Sequence, residues 1–188
     1  RIAYVAAAAG QSQIHVRWMD TGQTALVTRT TESPGALAWS PDGKWIAFTM
    51  LVPESPAPLA KPPAMPDGAE WAKGVTVIDD MIYRRDGQGY VEQGHVHLFV
   101  VPAEGGTPRQ LTRGDFTHSG TPVWTPDGGA VIITANRNAD WQTDPVDSDL
   151  WEVALADGAM RALTSRDGPD ASPAISPVAP PRAWARSP

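Results

Sequence analysis

An all-β fold of repeated four-stranded antiparallel units is predicted by three observations. A turn motif recurs, as Trp39-Ser40-Pro41-Asp42-Gly43-Lys44-Trp45 and as Trp124-Thr125-Pro126-Asp127-Gly128-Gly129-Ala130. A third, damaged copy stands at Ile175-Ser176-Pro177, where Val178 replaces the expected Asp. Short apolar runs flank the copies, as strands on either side of a tight turn require. Glycine (17) and proline (19) supply nearly a fifth of the 188 residues and fall between those runs, which marks many short strands rather than disorder. Four short strands per repeat around one recurring turn describe β-propeller blades.

Each motif carries its own turn chemistry. Pro41 presets φ, Asp42 can hydrogen-bond the backbone that follows it, and Gly43 supplies a positive φ. Aligning the copies gives a unit in which strand a ends at the turn and strand b follows it. An amphipathic strand c then leads through an Asp/Gly turn to strand d, which ends near Leu-Thr. The first segment supplies strand b over 2–8, strand c over 13–19, a turn at Asp20-Thr21-Gly22 and strand d over 25–28. The first whole unit has strands over 36–39, 45–50, 95–101 and 109–112, with its c–d turn at Ala103-Glu104-Gly105-Gly106. The second has strands over 122–124, 130–135, 149–155 and 160–164, with Asp157-Gly158 as that turn. Strand a of a further unit covers 172–175. The expected architecture is a partial propeller over 1–177, with two whole blades and two partial ones. Closed propellers typically need roughly four to eight blades. Arg1-Ile2-Ala3-Tyr4-Val5 reads as a strand b whose turn lies upstream, so the chain is expected to begin in mid-protein.

Two interruptions fall at the same place, between strands b and c. The shorter covers 136–147. The longer, 51–94, opens with the proline-rich stretch 53–66, continues through a strand-like 75–83 and turns at Asp86-Gly87-Gln88-Gly89. A long insertion in a repeat array tends to emerge on one face and to carry binding. The tail over 178–188 loses the pattern and reads as a divergent end or a shifted reading frame.

Composition excludes several classes. A net charge of −6 without a basic block argues against nucleic acid as a partner. With no cysteine, disulfide frameworks and thiolate metal sites are excluded, while cytoplasm and periplasm both stay open, the cytoplasm slightly favoured. No apolar run reaches the length of a membrane span, so no membrane partner is expected. The Gly-x-Ser-x-Gly elbow, phosphate-loop, nucleotide-fingerprint and His-Glu-x-x-His signatures are all absent. No cofactor and no catalytic residue are therefore assigned.

His95 and His97 lie two apart on a predicted strand and so leave the same face. With Glu92 or His118 they could begin a metal site, against the ordinary reading of packing at a strand entrance. Asp79-Asp80 and Asp147-Ser148-Asp149 read as turn residues, because a complete oxygen-ligand loop is missing. Trp39, Trp124 and Trp151 read as equivalent core positions between blades. The most suggestive stretch is Tyr83-Arg84-Arg85-Asp86-Gly87-Gln88-Gly89-Tyr90. Two guanidiniums beside a tight turn could hold a peptide carboxylate bidentately, or could pair with local carboxylates at a hairpin tip. Tyr83, Arg84, Arg85 and Tyr90 are the candidate substrate-binding or domain-interface residues.

These residues carry a family resemblance. The pattern over 40–48 resembles the WD-like repeats of Tol-type periplasmic propellers and of serine peptidases. The insertion Val77-Ile78-Asp79-Asp80-Met81-Ile82-Tyr83-Arg84-Arg85-Asp86-Gly87-Gln88-Gly89-Tyr90 is more specific. With His95-Val96-His97-Leu98-Phe99-Val100-Val101 and Gly105-Gly106-Thr107-Pro108-Arg109-Gln110-Leu111-Thr112 behind it, the stretch resembles the propeller of the prolyl oligopeptidase family. The acylaminoacyl-peptidase and dipeptidyl-peptidase-like branch is the nearest in pattern. The resemblance implies a hydrolase in which an α/β-hydrolase domain of the same parent chain bears the Ser-Asp-His triad. The propeller then gates short peptide substrates, and this chain is the part without the triad. The alternative is a Tol-type binding or scaffold propeller.

Overall fold

The computed structural model describes residues 1–8, 10–54, 60, 63–70, 77–78, 80–87 and 89–176, with the backbone of 183–186. Among these residues all regular structure is β, in antiparallel sheets stacked in chain order. The first sheet is β1 (Ile2–Ala8), β2 (Gln11–Arg17) and β3 (Thr24–Leu26). The second is β4 (Gly35–Trp39) and β5 (Trp45–Pro53), joined after the long insertion by β8 (Gly94–Pro102) and β9 (Arg109–Gln110). Between them, β6 (Arg84–Arg85) and β7 (Gly89–Tyr90) form a separate hairpin. The third sheet runs β10 (His118–Trp124), β11 (Ala130–Ala135), β12 (Asp149–Ala154) and β13 (Met160–Ala162). A fourth pairs β14 (Ala171–Ile175) with β15 (Ala183–Arg186), so the backbone makes one more strand in the tail. Meandering four-stranded sheets stacked on one another are the blades of a β-propeller.

The stacking follows from strand alternation. Successive side chains leave opposite faces, so β5 sends Ile46 and Phe48 one way and Ala47 the other, while β8 divides Phe99 and Val101 from Leu98 and Val100. Ile46, Phe48, Phe99 and Val101 pack on Ile14, Val16 and Val27 of the first sheet. Ala47, Leu98 and Val100 pack on Trp124, Val131, Ile133 and Val153 of the third. A sheet covered on both sides needs near-continuous apolar strands, which is why 45–48 and 98–101 show no polar alternation.

Two sets of hydroxyls pin the blades in register. At the a–b turns, Ser40 Oγ and Thr125 Oγ1 each donate to the carboxylate two residues on, at 2.6 Å in both cases. The same hydroxyls accept the backbone N–H of Trp45 and Ala130. Gly43 (φ 68°) and Gly128 (φ 70°) close the turns with N–H bonds to the Ser40 and Thr125 carbonyls. The hydroxyls and the following backbone N–H groups hold Asp42 and Asp127 below the usual carboxylate range. At the other end of each blade, Thr28, Thr112 and Thr164 accept the N–H of Ile14, Leu98 and Leu150 at 2.9, 2.9 and 3.0 Å.

Three expectations are corrected. No ladder forms at the described residues of 75–83: pairing begins at Arg84, because Ile78, Met81 and Ile82 are exposed and, among the described residues, have no neighbouring strand to pair with. Trp39 is only half-buried, whereas Trp124 is buried and its indole N–H reaches the Ala38 carbonyl of the preceding blade at 3.1 Å. Trp151 is not equivalent to either, since it stands on strand c of the third sheet, its N–H on the Ala135 carbonyl. Val178, Asp79 and Gln88 lie outside the described residues.

The inter-blade role of Trp124 sets a stability order. Trp124→Ala should cost roughly 3–5 kcal/mol of unfolding free energy in urea, and clearly more than Trp39→Ala. Trp124→Phe should lose about 1 kcal/mol for the missing N–H bond. Equal losses at 39 and 124 would contradict this packing.

Candidate functional site

The b–c and d–a connections share one end of the stack, opposite the a–b turns, and both insertions therefore emerge there. The long insertion leaves through a narrow neck. Pro53 pairs with Gly94, and Glu54 N–H donates to the Gln93 carbonyl at 3.0 Å. Gly94 sits at φ 130°, where an added Cβ would lie 2.3 Å from the Val52 carbonyl oxygen, so only glycine passes the backbone through this point. Beyond the neck, Gln93 Nε2 holds the Val77 carbonyl at 2.9 Å, and Val91 N–H donates to Tyr83 at 2.9 Å.

The two insertions meet through Gln142. Its Oε1 accepts the Met81 N–H at 3.1 Å and its Nε2 donates to Asp80 Oδ1 at 2.8 Å. Trp141, beside it, stands edge-on to His95 with ring centres 5.8 Å apart. Between them lies a cleft of about 480 Å³, walled by Ile82, Tyr83, Val91, Trp141 and Val146, with His95 also on its lining. The space is within the range of small-ligand pockets.

The structure separates the four candidates. Tyr83 and Arg85 line the cleft; Arg84 and Tyr90 do not. The tyrosine rings sit 6.4 Å apart across the β6–β7 hairpin. Both arginines are exposed, and among the described residues neither makes an ion pair. The cleft residues Trp141, Asn136 and Val146 escaped sequence reasoning. A tryptophan in a polar, aperiodic loop was the one available signal for them.

The histidines divide in the same way. His97 occupies the blade position of Gln13 and Asp149: each meets the strand d threonine of its own blade. Thr28 and Thr164 donate to Gln13 and Asp149, and by the same geometry Thr112 donates to His97 Nδ1 at 3.2 Å. His118 is fully buried, with Nδ1 3.3 Å from the Val96 carbonyl and Nε2 3.0 Å from Arg137 Nη1. A guanidinium only donates, so Nε2 accepts and Nδ1 carries the proton. Burial first, and the neighbouring charges second, lower both His97 and His118 to about 4. These ring nitrogens are thus engaged in blade packing, and among the described residues no three acids or histidines are grouped to hold a metal. Asp147 is likewise a loop residue, accepting from Gly168 N–H and Asn138 Nδ2, each at 2.8 Å. Arg137 itself stacks on Phe116 and Trp151, 4.6 and 5.5 Å from the ring centres.

Neutral buried histidines give a definite sign to the pH response. The unfolded chain binds their protons near pH 6.5 and the folded chain near 4, so stability is lost as pH falls through that window. Each could account for about 3 kcal/mol at the lower end. His97→Gln, which installs the residue of the first blade, should fold and show a shallower decline in urea stability between pH 6.5 and 4. An unchanged slope would remove His97 from this role.

No family model matches the chain. It is 25% identical over 125 residues to the uncharacterized peptidase YuxL of Bacillus subtilis, covering 66% of this chain and 18% of that one. It is 29% identical over 171 residues to an uncharacterized protein of Agrobacterium fabrum, covering 87% of this chain and 55% of the relative. The chain thus spans from just under a fifth to just over half of the two curated relatives. Among solved structures, acylaminoacyl peptidase of Pyrococcus horikoshii superposes with TM-score 0.59 at 13% identity, over 87% of this chain and 23% of that one. TolB of Acinetobacter baumannii superposes with TM-score 0.54 at 18% identity, over 93% and 32%. The fold is therefore the propeller fold that peptidase-related proteins and TolB share.

Proposed function

We propose that this chain is the non-catalytic propeller portion of a serine peptidase, gating the access of short peptides to a hydrolase domain that lies outside these residues. The observation that carries the reading is the sequence similarity to a peptidase of which the chain spans only 18%. The absence of a Gly-x-Ser-x-Gly elbow from the chain fits that division of labour. The two insertions, clasped at one end of the stack, give the propeller a built face for the substrate side. A Tol-type scaffold that binds a protein partner is the second reading, favoured by the superposition of 93% of the chain on TolB.

The purified chain should turn over neither acyl-amino-acid nor dipeptide reporters. Turnover that survives repurification and is blocked by a serine-directed phosphonate would overturn the proposal. The coding sequence beyond Pro188 separates the two readings. A further module containing Gly-x-Ser-x-Gly is expected, whereas additional blades followed by a stop would favour the scaffold.

A further inference from the structure

We propose that the cleft between the two insertions is a binding site for a peptide-class ligand with one large apolar side chain and one free carboxylate. The ligand class rests on the peptidase reading; the site itself rests on geometry. The walls are apolar side chains from two blades, and Ile78 and Val146 extend them onto an exposed rim at 46 and 64% accessibility. Concentrated exposed apolar surface beside a pocket marks a place where something binds. Ser119 adds a neutral hydroxyl suited to an amide, while Asn136 and Ser148 on the same lining are bonded to the loop backbone.

His95 supplies the second argument. It is 93% buried by its 7% exposure, yet its one hydrogen-bonding contact among the described residues is Thr117 Oγ1 at 3.5 Å, the outer limit of a bond. Its ring lines the cleft, so a ligand group placed there would offer it a better partner than Thr117 does.

Charge selects the ligand's end group. Among the described residues Arg85 is the one Lys or Arg side chain lining the cleft, and its guanidinium matches both oxygens of a carboxylate. Asp80 and Glu92 share the lining; Asp80 is turned to Gln142, and Glu92 is exposed. Their presence limits the ligand to a single carboxylate. Arg84 precedes Arg85 on β6, and adjacent strand residues leave opposite faces. It is the internal control.

The test titrates the 188-residue chain with N-acetyl-L-leucine, N-acetyl-L-leucinamide and N-acetylglycine, following tryptophan fluorescence and amide NMR shifts. The leucine acid should bind about tenfold or more tighter than its amide and than the glycine acid. Arg85→Gln should erase the preference for acid over amide, and Arg84→Gln should leave it intact. Val146→Glu, at an exposed position that folding does not depend on, should weaken both leucine probes. Equal binding of acid and amide, no saturable binding of any probe, or the same effect from both arginine variants would overturn the proposal. A gene without a hydrolase module would sink the peptidase reading and leave this titration standing. A failed titration beside an intact module would retire the cleft alone.

Discussion

The structure depends on one sheet being buried on both faces. Ile46, Phe48, Phe99 and Val101 face the first blade, and Ala47, Leu98 and Val100 face the third. A charged residue within 46–48 or 98–101 would be trapped against one neighbour or the other, with no solvent face to turn to. The stacked rings of Phe48 and Phe99, 5.5 Å apart, lie in the seam with the first blade. Because neither face is free, the second blade can present function only from its ends, where the connections leave the ladder.

The hydroxyl caps explain how a repeat with so little sequence identity keeps its register. What is repeated is a bonding pattern, Ser or Thr at the a–b turn and Thr after strand d, and the residues around it change freely. Gln13, His97 and Asp149 are chemically unlike one another, yet each meets the same threonine of its own blade. His97 belongs to that series, and its partner settles its role better than the nearness of His95 does.

Strand order and turns were legible because they depend on local chemistry: proline and glycine punctuation, and apolar runs of strand length. The starts of strand a were not. Each begins with a register shift, and Ala36 (φ 49°) and Ser172 (φ 54°) adopt left-handed backbone that their identities do not announce. At the described residues of 75–83 no ladder forms for the complementary reason, since β-branched residues signal a strand only where another strand is present to pair with them. The cleft was hidden altogether, because it joins Tyr83 and Arg85 to Trp141 across two insertions. The paired arginines were visible as chemistry, but which of them meets the cleft is a matter of strand parity.

The neck at Pro53 and Gly94 has a wider consequence. Nine residue pairs between β5 and β8 fix the two strands without any help from the chain that loops out between them. Closing a flexible excursion grows more costly only slowly with length, by about 0.6 kcal/mol for each doubling. The blade is therefore nearly indifferent to what is threaded through that port. Cassettes of very different size can be exchanged there without retuning the hydrophobic seams, and the ladder is a fixed frame onto which different insertions can be mounted.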